Sequence, residues 1–600
     1  MGDYLALAWP PGQPGQAADR MREAILADGW RVAHAEFYIL VCVKGERAPP
    51  IQPLPRRRGV LIGEIYDTQA TLAGAPAAFD PAILKDLEPP DAALVLSRCG
   101  WGRYVALFTP QRAAPSIFRD PMGGLECVTW TRDAVRLVSS RIPTRGPYAP
   151  QDLAVDWMRV EALLADVALA SDEVCLHGVS AVGAGVLRSG PDGGQDWRIW
   201  SPADHARRAS ARSGAGSQAW SPARLADTID ACTRALTAGR AAVVAEVSGG
   251  LDSAIVALAL ERARAPVLEA INHFWPSPEG DERTYAVAVA AALGKPLHAV
   301  ARGDLRFDLE GLLRCAGGPR PPFNAQDADY DQDMAARLRS IGAQALFTGH
   351  GGDAVFFQMP EAGLARDLLR GPAPAMGRFE ALATLARRLR MSVWKLIGLA
   401  LGREGRDPDG LRGPRFLIRS GGPRRRHPWL ADLRGLDGAK RVQIRALTHT
   451  QMLLGESLRG QVADLIHPLL AQPVVELCLS IPAPILAVGA HDRPHARAAY
   501  ADRLPALIRD RRGKGDVTGV FARSIAQGLP VLRPFLLEGR LAAQGLIDRA
   551  KLEPLLDAEA LIWRDYTGEI MRTVFVEAWV RAWQDRLATT PQGADPDSPS

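Results

Sequence analysis

A glycine-rich segment near the middle of the chain constrains the fold more than any other sequence feature. Ser248-Gly249-Gly250-Leu251-Asp252-Ser253 lies between a buried-strand candidate, residues 241–247, and residues 252–264, whose apolar positions have helical spacing. Glycines let the backbone approach an anion closely, and the free N–H groups of a helix N-terminus attract negative charge. The context therefore predicts a phosphate-binding loop. An ordinary strand–turn–helix connection is the less favoured alternative.

The side chains of this loop refine the prediction. A carboxylate at Asp252 would repel a phosphate, so its natural role is to hold Mg²⁺ that bridges the phosphates. Ser248 and Ser253 can add hydroxyl donors. No Gly-Lys-Ser/Thr follows, so the segment is not a Walker A loop.

The pattern of apolar and turn-forming residues changes near residue 223. Residues 1–205 contain short apolar runs broken by Gly, Pro and Asp, which predicts a β-rich domain, and residues 206–222 have the composition of a linker. Residues 223–588 alternate strand-like and helix-like segments, which predicts an α/β domain with a parallel sheet covered on both faces. The further strand candidates are residues 267–274 and 344–347, and the further helix candidates are 284–293 and 376–402.

Two later segments differ in composition from their surroundings. Residues 403–427 hold eight Arg against three acids. This composition fits a solvated surface insertion or, alternatively, a docking surface for an acidic or extended peptide. Residues 589–600 are predicted to be a disordered tail.

The global composition narrows the possible partners and the location. The 600 residues carry 72 Lys+Arg against 67 Asp+Glu, and the net charge of +5 does not favour nucleic acid as the main partner. No apolar stretch is long enough to span a bilayer, and the first residues lack a signal-peptide layout. We therefore expect a cytoplasmic protein without membrane insertion. The seven scattered cysteines argue for reduced thiols and against a zinc site.

The loop resembles the pyrophosphate-binding loop of the ATP pyrophosphatases, which cleave ATP between its α and β phosphates and adenylate a carbonyl or carboxyl oxygen. Thr348-Gly349-His350-Gly351-Gly352-Asp353 resembles the second motif of the asparagine synthetase branch. The resemblance implies that Asp252 and Asp353 share Mg²⁺. It also implies an ATP site formed by Val247, Ser248, Gly249, Gly250, Leu251, Asp252, Ser253, Gly349, Gly351 and Gly352.

Two further stretches of the C-terminal part are similar to segments of the same family. Residues 274–294 look like its acidic loop and following helix, although plain N-capping by Asp281 and Glu282 explains them equally well. Residues 509–516 resemble its late Arg-x-Lys segment, which implies that Lys514 stabilises charge at the reacting carboxyl and phosphate. Without the resemblance, this run would be assigned to a solvated basic surface.

Residues 100–104 and 118–123 look like strands of the glutaminase domain that precedes the synthetase domain in this family. The implied fold is an N-terminal-nucleophile (Ntn) glutaminase-like αββα sandwich followed by an ATP-pyrophosphatase domain of the adenine nucleotide alpha hydrolase type. An unrelated β-rich domain remains the alternative for the first half.

The sequence departs from the family at two positions. Glutamine-hydrolysing members need a cysteine directly after the initiator Met, whereas Gly2 carries no nucleophile, so we expect no glutaminase activity. His350 stands where asparagine synthetases have Glu and β-lactam synthetases have Tyr. Its imidazole suits a general base that deprotonates an attacking amine, or alternatively a buried residue that shapes the turn.

These departures, together with residues 272–283, look most like lasso peptide cyclases. That resemblance implies an enzyme that adenylates an Asp or Glu side chain of a precursor peptide with ATP and Mg²⁺. The peptide's own N-terminal amine then closes a macrolactam ring. It also implies a separate protease that removes the leader. The alternatives are an ammonia-dependent asparagine synthetase, a β-lactam-synthetase-like enzyme or a non-catalytic peptide-binding protein.

Overall fold

The computed structural model confirms a mixed α/β chain with two regions of different sheet type. It describes residues 2–10, 15–109, 114–190, 194–211, 220–277, 280–303, 307–359, 362–372, 374–402, 413–419, 421, 424–511, 518–563 and 566–589. Within these residues, no helix combines the length and apolar character that a bilayer crossing requires.

The N-terminal region is built on two six-stranded sheets, and the pairings within both are antiparallel. Its strands are β1 Asp3–Ala8, β2 Arg31–Glu36, β3 Ile39–Lys44, β4 Ile51–Pro53, β5 Gly59–Asp67, β6 Gly100–Phe108, β7 Ser116–Arg119, β8 Val128–Arg132, β9 Val135–Ser139, β10 Ser180–Ala181, β11 Val186–Ser189 and β12 Gln195–Arg198. Its helices are α1 Gln16–Ala27, α2 Thr68–Leu72, α3 Pro89–Cys99, α4 Trp157–Ala165 and α5 Pro202–Ala211.

Alternating side chains on the strands build the layers of this region. On β1, Tyr4 and Ala6 pack against Val60 of β5 in a core between the two sheets. The intervening Leu5 faces outward against Met21 of α1. β6 alternates in the same way, with its outward residues packing under α3. The layers are therefore helices, sheet, sheet and helices.

The C-terminal region contains a five-stranded parallel sheet and most of the helices. Its strands are β13 Val243–Glu246, β14 Val267–Phe274, β15 Leu297–Ala301, β16 Ala345–Phe347 and β17 Asp464–Ile466. Its helices are α6 Pro222–Thr237, α7 Leu251–Arg262, α8 Arg283–Leu293, α9 Leu309–Cys315, α10 Ala328–Ser340, α11 Gly352–Val355, α12 Gly363–Arg370, α13 Arg378–Arg388, α14 Val393–Leu401, α15 Pro428–Ala431, α16 Gly438–Met452, α17 Leu458–Val462, α18 Gln472–Ser480, α19 Ala483–Ala487, α20 Pro494–Ala499, α21 Ala506–Arg509, α22 Thr518–Gln527, α23 Leu529–Leu537, α24 Arg540–Ala543, α25 Arg549–Leu552, α26 Ala558–Trp563 and α27 Thr567–Ala588.

The strand order β15-β14-β13-β16-β17 fixes where a ligand can bind. Chain connections run outward in one direction from β13 and in the other direction from β16, so a crevice opens at the carboxyl ends of this adjacent pair. Val243 and Ala245 of β13 pack against α6 and α7, while Val244 packs against α10 on the opposite face. The predicted parallel sheet with both faces covered is confirmed.

Two predicted segments differ from their expected form. The first part of the predicted linker 206–222 is helical, because α5 extends to Ala211, and α6 starts at Pro222 behind a Ser221 cap. The described part of the basic insertion 403–427 is anchored rather than uniformly solvated. Phe416 is fully buried, and His427 contacts Ser171 of the N-terminal region at 3.1 Å. Nearly all of the predicted tail, residues 590–600, lies outside the described residues.

The two regions are joined by a salt bridge at their interface. Glu126 accepts hydrogen bonds from the Nε and Nη2 atoms of Arg320 at 2.6 and 2.8 Å. Burial alone would raise the pKa of Glu126, but Arg320 and Arg119 outweigh it and lower that pKa to about 2. This carboxylate is therefore charged at neutral pH and fastens one region to the other.

Candidate active site

The predicted phosphate loop is a tight turn between β13 and α7. Gly249 has φ +78°, in the left-handed region that favours glycine, and Gly250 caps α7. The hydroxyls of Ser248 and Ser253 are 3.1 Å apart, and Ser253 Oγ also accepts from the Ser248 amide at 3.1 Å. These contacts between Ser248 and Ser253 hold the two ends of the loop together. The first turn of α7 presents its backbone N–H groups beside the loop.

The second glycine-rich turn, between β16 and α11, packs directly against this loop. A Cβ atom added to Gly349 would lie 2.5 Å from the amide nitrogen of Ser253, and one added to Gly352 would lie 2.3 Å from Asp252 Cγ. Gly351 has φ +92°, and its Cβ would lie 2.4 Å from Leu470 Cδ2. Gly349 and Gly352 are therefore needed for the close approach of the two motifs, and Gly351 is needed for the packing of the second turn against Leu470.

The approach places Asp252 and Asp353 on either side of one cation, the guanidinium of Arg493. Arg493 Nη1 donates to Asp252 Oδ2 at 2.6 Å and to Asp353 Oδ1 at 2.9 Å. The side chain of Arg493 is 5% exposed and that of Asp353 is 62% exposed. Sequence reasoning missed Arg493, because no local pattern marks a residue that reaches the two motifs from 241 and 140 positions away.

The carboxylate pair fits a magnesium ion that is completed by nucleotide oxygens. Mg²⁺ prefers oxygen ligands, and in nucleotide sites it is usually held by one or two carboxylates plus phosphates and water. Among the residues that the structure describes, no group of three or more His, Cys, Asp or Glu side chains could hold a metal ion. Asp252 and Asp353 face a common position and fit Mg²⁺ as two of its oxygen ligands.

Arg511, in the late basic segment, contacts the phosphate loop. Its Nη1 donates to the carbonyl oxygen of Gly249 at 2.8 Å, and its guanidinium lies 3.9 Å from the centre of the Tyr285 ring. It also forms an ion pair with Glu282, so Glu282 is held by Arg511 and gives α8 no side-chain cap. Lys514, the predicted charge-stabilising residue, lies outside the described residues.

His350 sits between the second turn and α16. Its Nε2 atom lies 3.2 Å from the carbonyl oxygen of Thr450, and since a carbonyl only accepts, Nε2 carries the proton. Nδ1 therefore keeps its lone pair. Burial lowers the pKa of His350, only partly offset by the Thr450 hydrogen bond, so the ring is neutral at neutral pH. Its ring packs edge-on against His467 at 5.0 Å.

A cavity of about 970 Å³ lies between the two regions, and His467, whose ring packs against His350, forms part of its wall. Its wall includes Gly2 and Arg47 from the N-terminal region and Gln451 and His467 from the C-terminal region. A Cβ atom on Gly2 would lie 2.8 Å from the carbonyl oxygen of Arg47, so the backbone leaves no room for a side chain there.

The four cysteines of the N-terminal region do not form an activated nucleophile. Cys42, Cys127 and Cys175 are buried, and Cys99 is half-buried. Burial raises the pKa of Cys42 to about 11 and that of Cys127 to about 12, so both are neutral thiols at neutral pH.

Comparison with known protein families identifies the family of the C-terminal region. The asparagine synthase family model matches residues 224–584, which is more than half of the chain. The chain belongs to the asparagine synthase family. A search of curated proteins found no match. Membership assigns the C-terminal region to ATP-using ligases that form carbon–nitrogen bonds, and the matched residues contain both glycine-rich motifs and Arg493.

Proposed function

We propose that the chain is an ATP-dependent macrolactam synthetase. It adenylates an Asp or Glu side chain of a precursor peptide, and the peptide's own N-terminal amine displaces AMP to form an isopeptide ring. The ATP chemistry is inferred from one observation. The phosphate loop, which contains Asp252, lies beside Asp353 at the carboxyl ends of β13 and β16, where the crevice opens.

In the first half-reaction, a carboxylate oxygen of the peptide attacks the α-phosphorus of ATP and pyrophosphate leaves. Residues 247–253 and the glycines at 349, 351 and 352 would surround the nucleotide phosphates, and the free N–H groups at the start of α7 would meet their charge. Asp252 and Asp353 would hold Mg²⁺, which would neutralise phosphate charge. The resemblance to the family assigns Lys514 to stabilising charge at the reacting carboxyl and phosphate.

In the second half-reaction, the amine nitrogen attacks the acyl carbon, the bond to AMP breaks and one proton must leave the nitrogen. His350 accepts that proton at Nδ1, since Nε2 is occupied by the Thr450 carbonyl. A neutral imidazole is the competent form of a base, and burial favours that form. Holding both reacting groups of one peptide in place lowers the entropic cost of ring closure.

The N-terminal region has a structural role in this proposal. Its described cysteines are buried or half-buried, and burial raises the pKa of Cys42 and Cys127, which does not favour a cysteine nucleophile for glutamine hydrolysis among them. The amine then comes from the peptide. We place the reaction in the cytoplasm, with the precursor peptide and a leader-removing protease as partners.

The test is a mass-spectrometric assay with ATP and Mg²⁺. One reaction holds a leader-trimmed candidate peptide, and another holds aspartate plus ammonia. We expect the peptide to lose one water as AMP is released. We expect Asp252→Asn to abolish both the cyclised peptide and the AMP. The matched control is Asp227→Asn, an exposed carboxylate on α6, which keeps full turnover.

The alternatives give different results in this assay. Asparagine with AMP from the second reaction would make the chain an ammonia-dependent synthetase and refute the peptide substrate. A β-lactam-synthetase-like enzyme would cyclise only a small amino-acid derivative. Peptide binding without AMP release would identify a non-catalytic peptide-binding protein.

A further inference from the structure

One nitrogen atom stands where the two proposed metal-binding carboxylates converge. Arg493 Nη1 contacts Asp252 Oδ2 at 2.6 Å and Asp353 Oδ1 at 2.9 Å. A magnesium ion ligated by the same oxygens would lie about 2.1 Å from each, in the space between them. The guanidinium nitrogen and a metal ion therefore compete for one position.

We propose that Arg493 is a built-in counter-cation that occupies the metal position between Asp252 and Asp353 in the nucleotide-free enzyme and gives it up when the metal–nucleotide complex binds. This inference rests on the proposed metal site and deepens it. Arg493 is a positioning residue, because in this state it acts through the two carboxylates.

The need for such a cation follows from electrostatics. Two like charges that face one position repel each other, and the side chain of Asp252 is only 15% exposed, so water screens it poorly. A cation between them removes the repulsion and keeps both oxygens aimed at the common position. Arg493 thus preserves the geometry of the site in the absence of metal.

A rigid frame holds the guanidinium in this position. Asp492 accepts from Arg493 Nε at 2.8 Å and from Nη2 at 2.7 Å, which leaves Nη1 for the carboxylate pair. Asp492 in turn accepts from Arg497 Nη2 at 2.7 Å. Arg497 Nη1 donates to the carbonyl oxygens of Ile508 and Arg509, at the C-terminal end of α21.

The exposures of Asp353 and Arg493 indicate the side from which a metal ion can reach the carboxylate pair. Asp353 is 62% exposed while Arg493 is 5% exposed, so a cation can reach the pair from the Asp353 side. A bare divalent ion must displace a guanidinium that loses two charged partners at once. A metal–nucleotide complex also brings phosphate oxygens, which offer the displaced guanidinium a new anionic partner. Metal binding is thereby made dependent on nucleotide.

The test measures the binding of Mn²⁺ alone, without nucleotide, by electron paramagnetic resonance of the free ion. We expect Arg493→Gln to bind Mn²⁺ at least tenfold more tightly than the wild type, because the competing cation is gone. Arg493→Lys should fall between the two. The double variant Arg493→Gln/Asp252→Asn should lose the gain, which assigns the new site to the pair. Arg234→Gln, an exposed residue of α6, is the matched control.

The outcomes separate this inference from the proposed function. Wild-type protein that binds Mn²⁺ as tightly as Arg493→Gln would overturn the inference, and this result stands even if another variant fails to fold. A gain of affinity without any AMP-forming activity would support the inference while refuting the proposed function. Normal AMP formation by the wild type with no gain in the folded variant would refute the inference alone.

Discussion

The close approach of the two glycine-rich motifs leads to a strong prediction about Gly349. Its φ lies outside the left-handed region, so alanine at this position meets no backbone strain. The obstacle is contact alone. An added Cβ would lie 2.5 Å from the amide nitrogen of Ser253 and 2.8 Å from the carbonyl carbon of Asp252. Both atoms belong to the backbone and cannot rotate away as a side chain can.

The size of the effect follows from these distances. The turn and the phosphate loop must separate by roughly 1 Å, which is the scale of misplacement that costs about 10²-fold in rate when reacting groups are held apart. Overpacking of this kind also costs about 1–3 kcal/mol of stability. We therefore expect Gly349→Ala to reduce AMP formation by about 10²-fold and to lower the free energy of unfolding by about 2 kcal/mol.

The assay combines pyrophosphate release with chemical denaturation. Gly398→Ala in α14 is the matched control, since no described atom other than its chain neighbours and the backbone of its own helix lies within 4 Å of its added Cβ. That variant should keep wild-type activity and gain about 0.5–1 kcal/mol from helix propensity. Wild-type activity in a stable Gly349→Ala protein would refute the argument that this contact sets the position of the two carboxylates.

Two further predictions concern His350 and Glu126. His350→Gln should slow ring closure by about 10²-fold or more while leaving ATP–pyrophosphate exchange near the wild-type rate. Because burial lowers the pKa of His350 and the neutral ring is the base, the acid limb of the kcat/KM profile should lie below pH 6.5, and a limb above it would contradict this role. Glu126→Gln should destabilise the chain by roughly 3 kcal/mol at pH 7 in chemical denaturation, by breaking the bridge to Arg320. The folded pKa of Glu126 is about 2 against an ordinary 4.5, so its contribution is present above pH 4.5 and is lost as the pH falls towards 2. A wild-type protein equally stable at pH 5 and pH 3 would refute that assignment.

Periodicity predicted much of the architecture of the C-terminal region. The strand candidates 241–247, 267–274 and 344–347 correspond to β13, β14 and β16, and their largely apolar character is typical of parallel strands that are buried on both faces. These patterns involve residues close together in the chain, so they can be recognised in a single sequence before the fold is known.

The basic insertion shows where composition misleads. Eight arginines in residues 403–427 suggested solvent or an acidic partner, yet the described part buries Phe416 completely and pairs Arg425 with Glu173 of the N-terminal region at 2.8 Å. Charge counts do not distinguish a solvated cation from one that meets a carboxylate across a domain interface, because that partner is distant in sequence.

The sequence by itself located the candidate phosphate loop, because glycines between a buried strand and a helix mark that kind of turn. The second glycine turn and the pairing of Asp252 with Asp353 were implied by the resemblance to the asparagine synthetase family, and their role as a metal site stays a prediction. Tertiary structure alone decided that Arg493 lies between those carboxylates, that Arg511 holds the loop through Gly249, and that Thr450 fixes the tautomer of His350. Each of these contacts joins residues 100 or more positions apart. Such pairs form only when distant helices pack around the end of the sheet, and no local pattern encodes that packing.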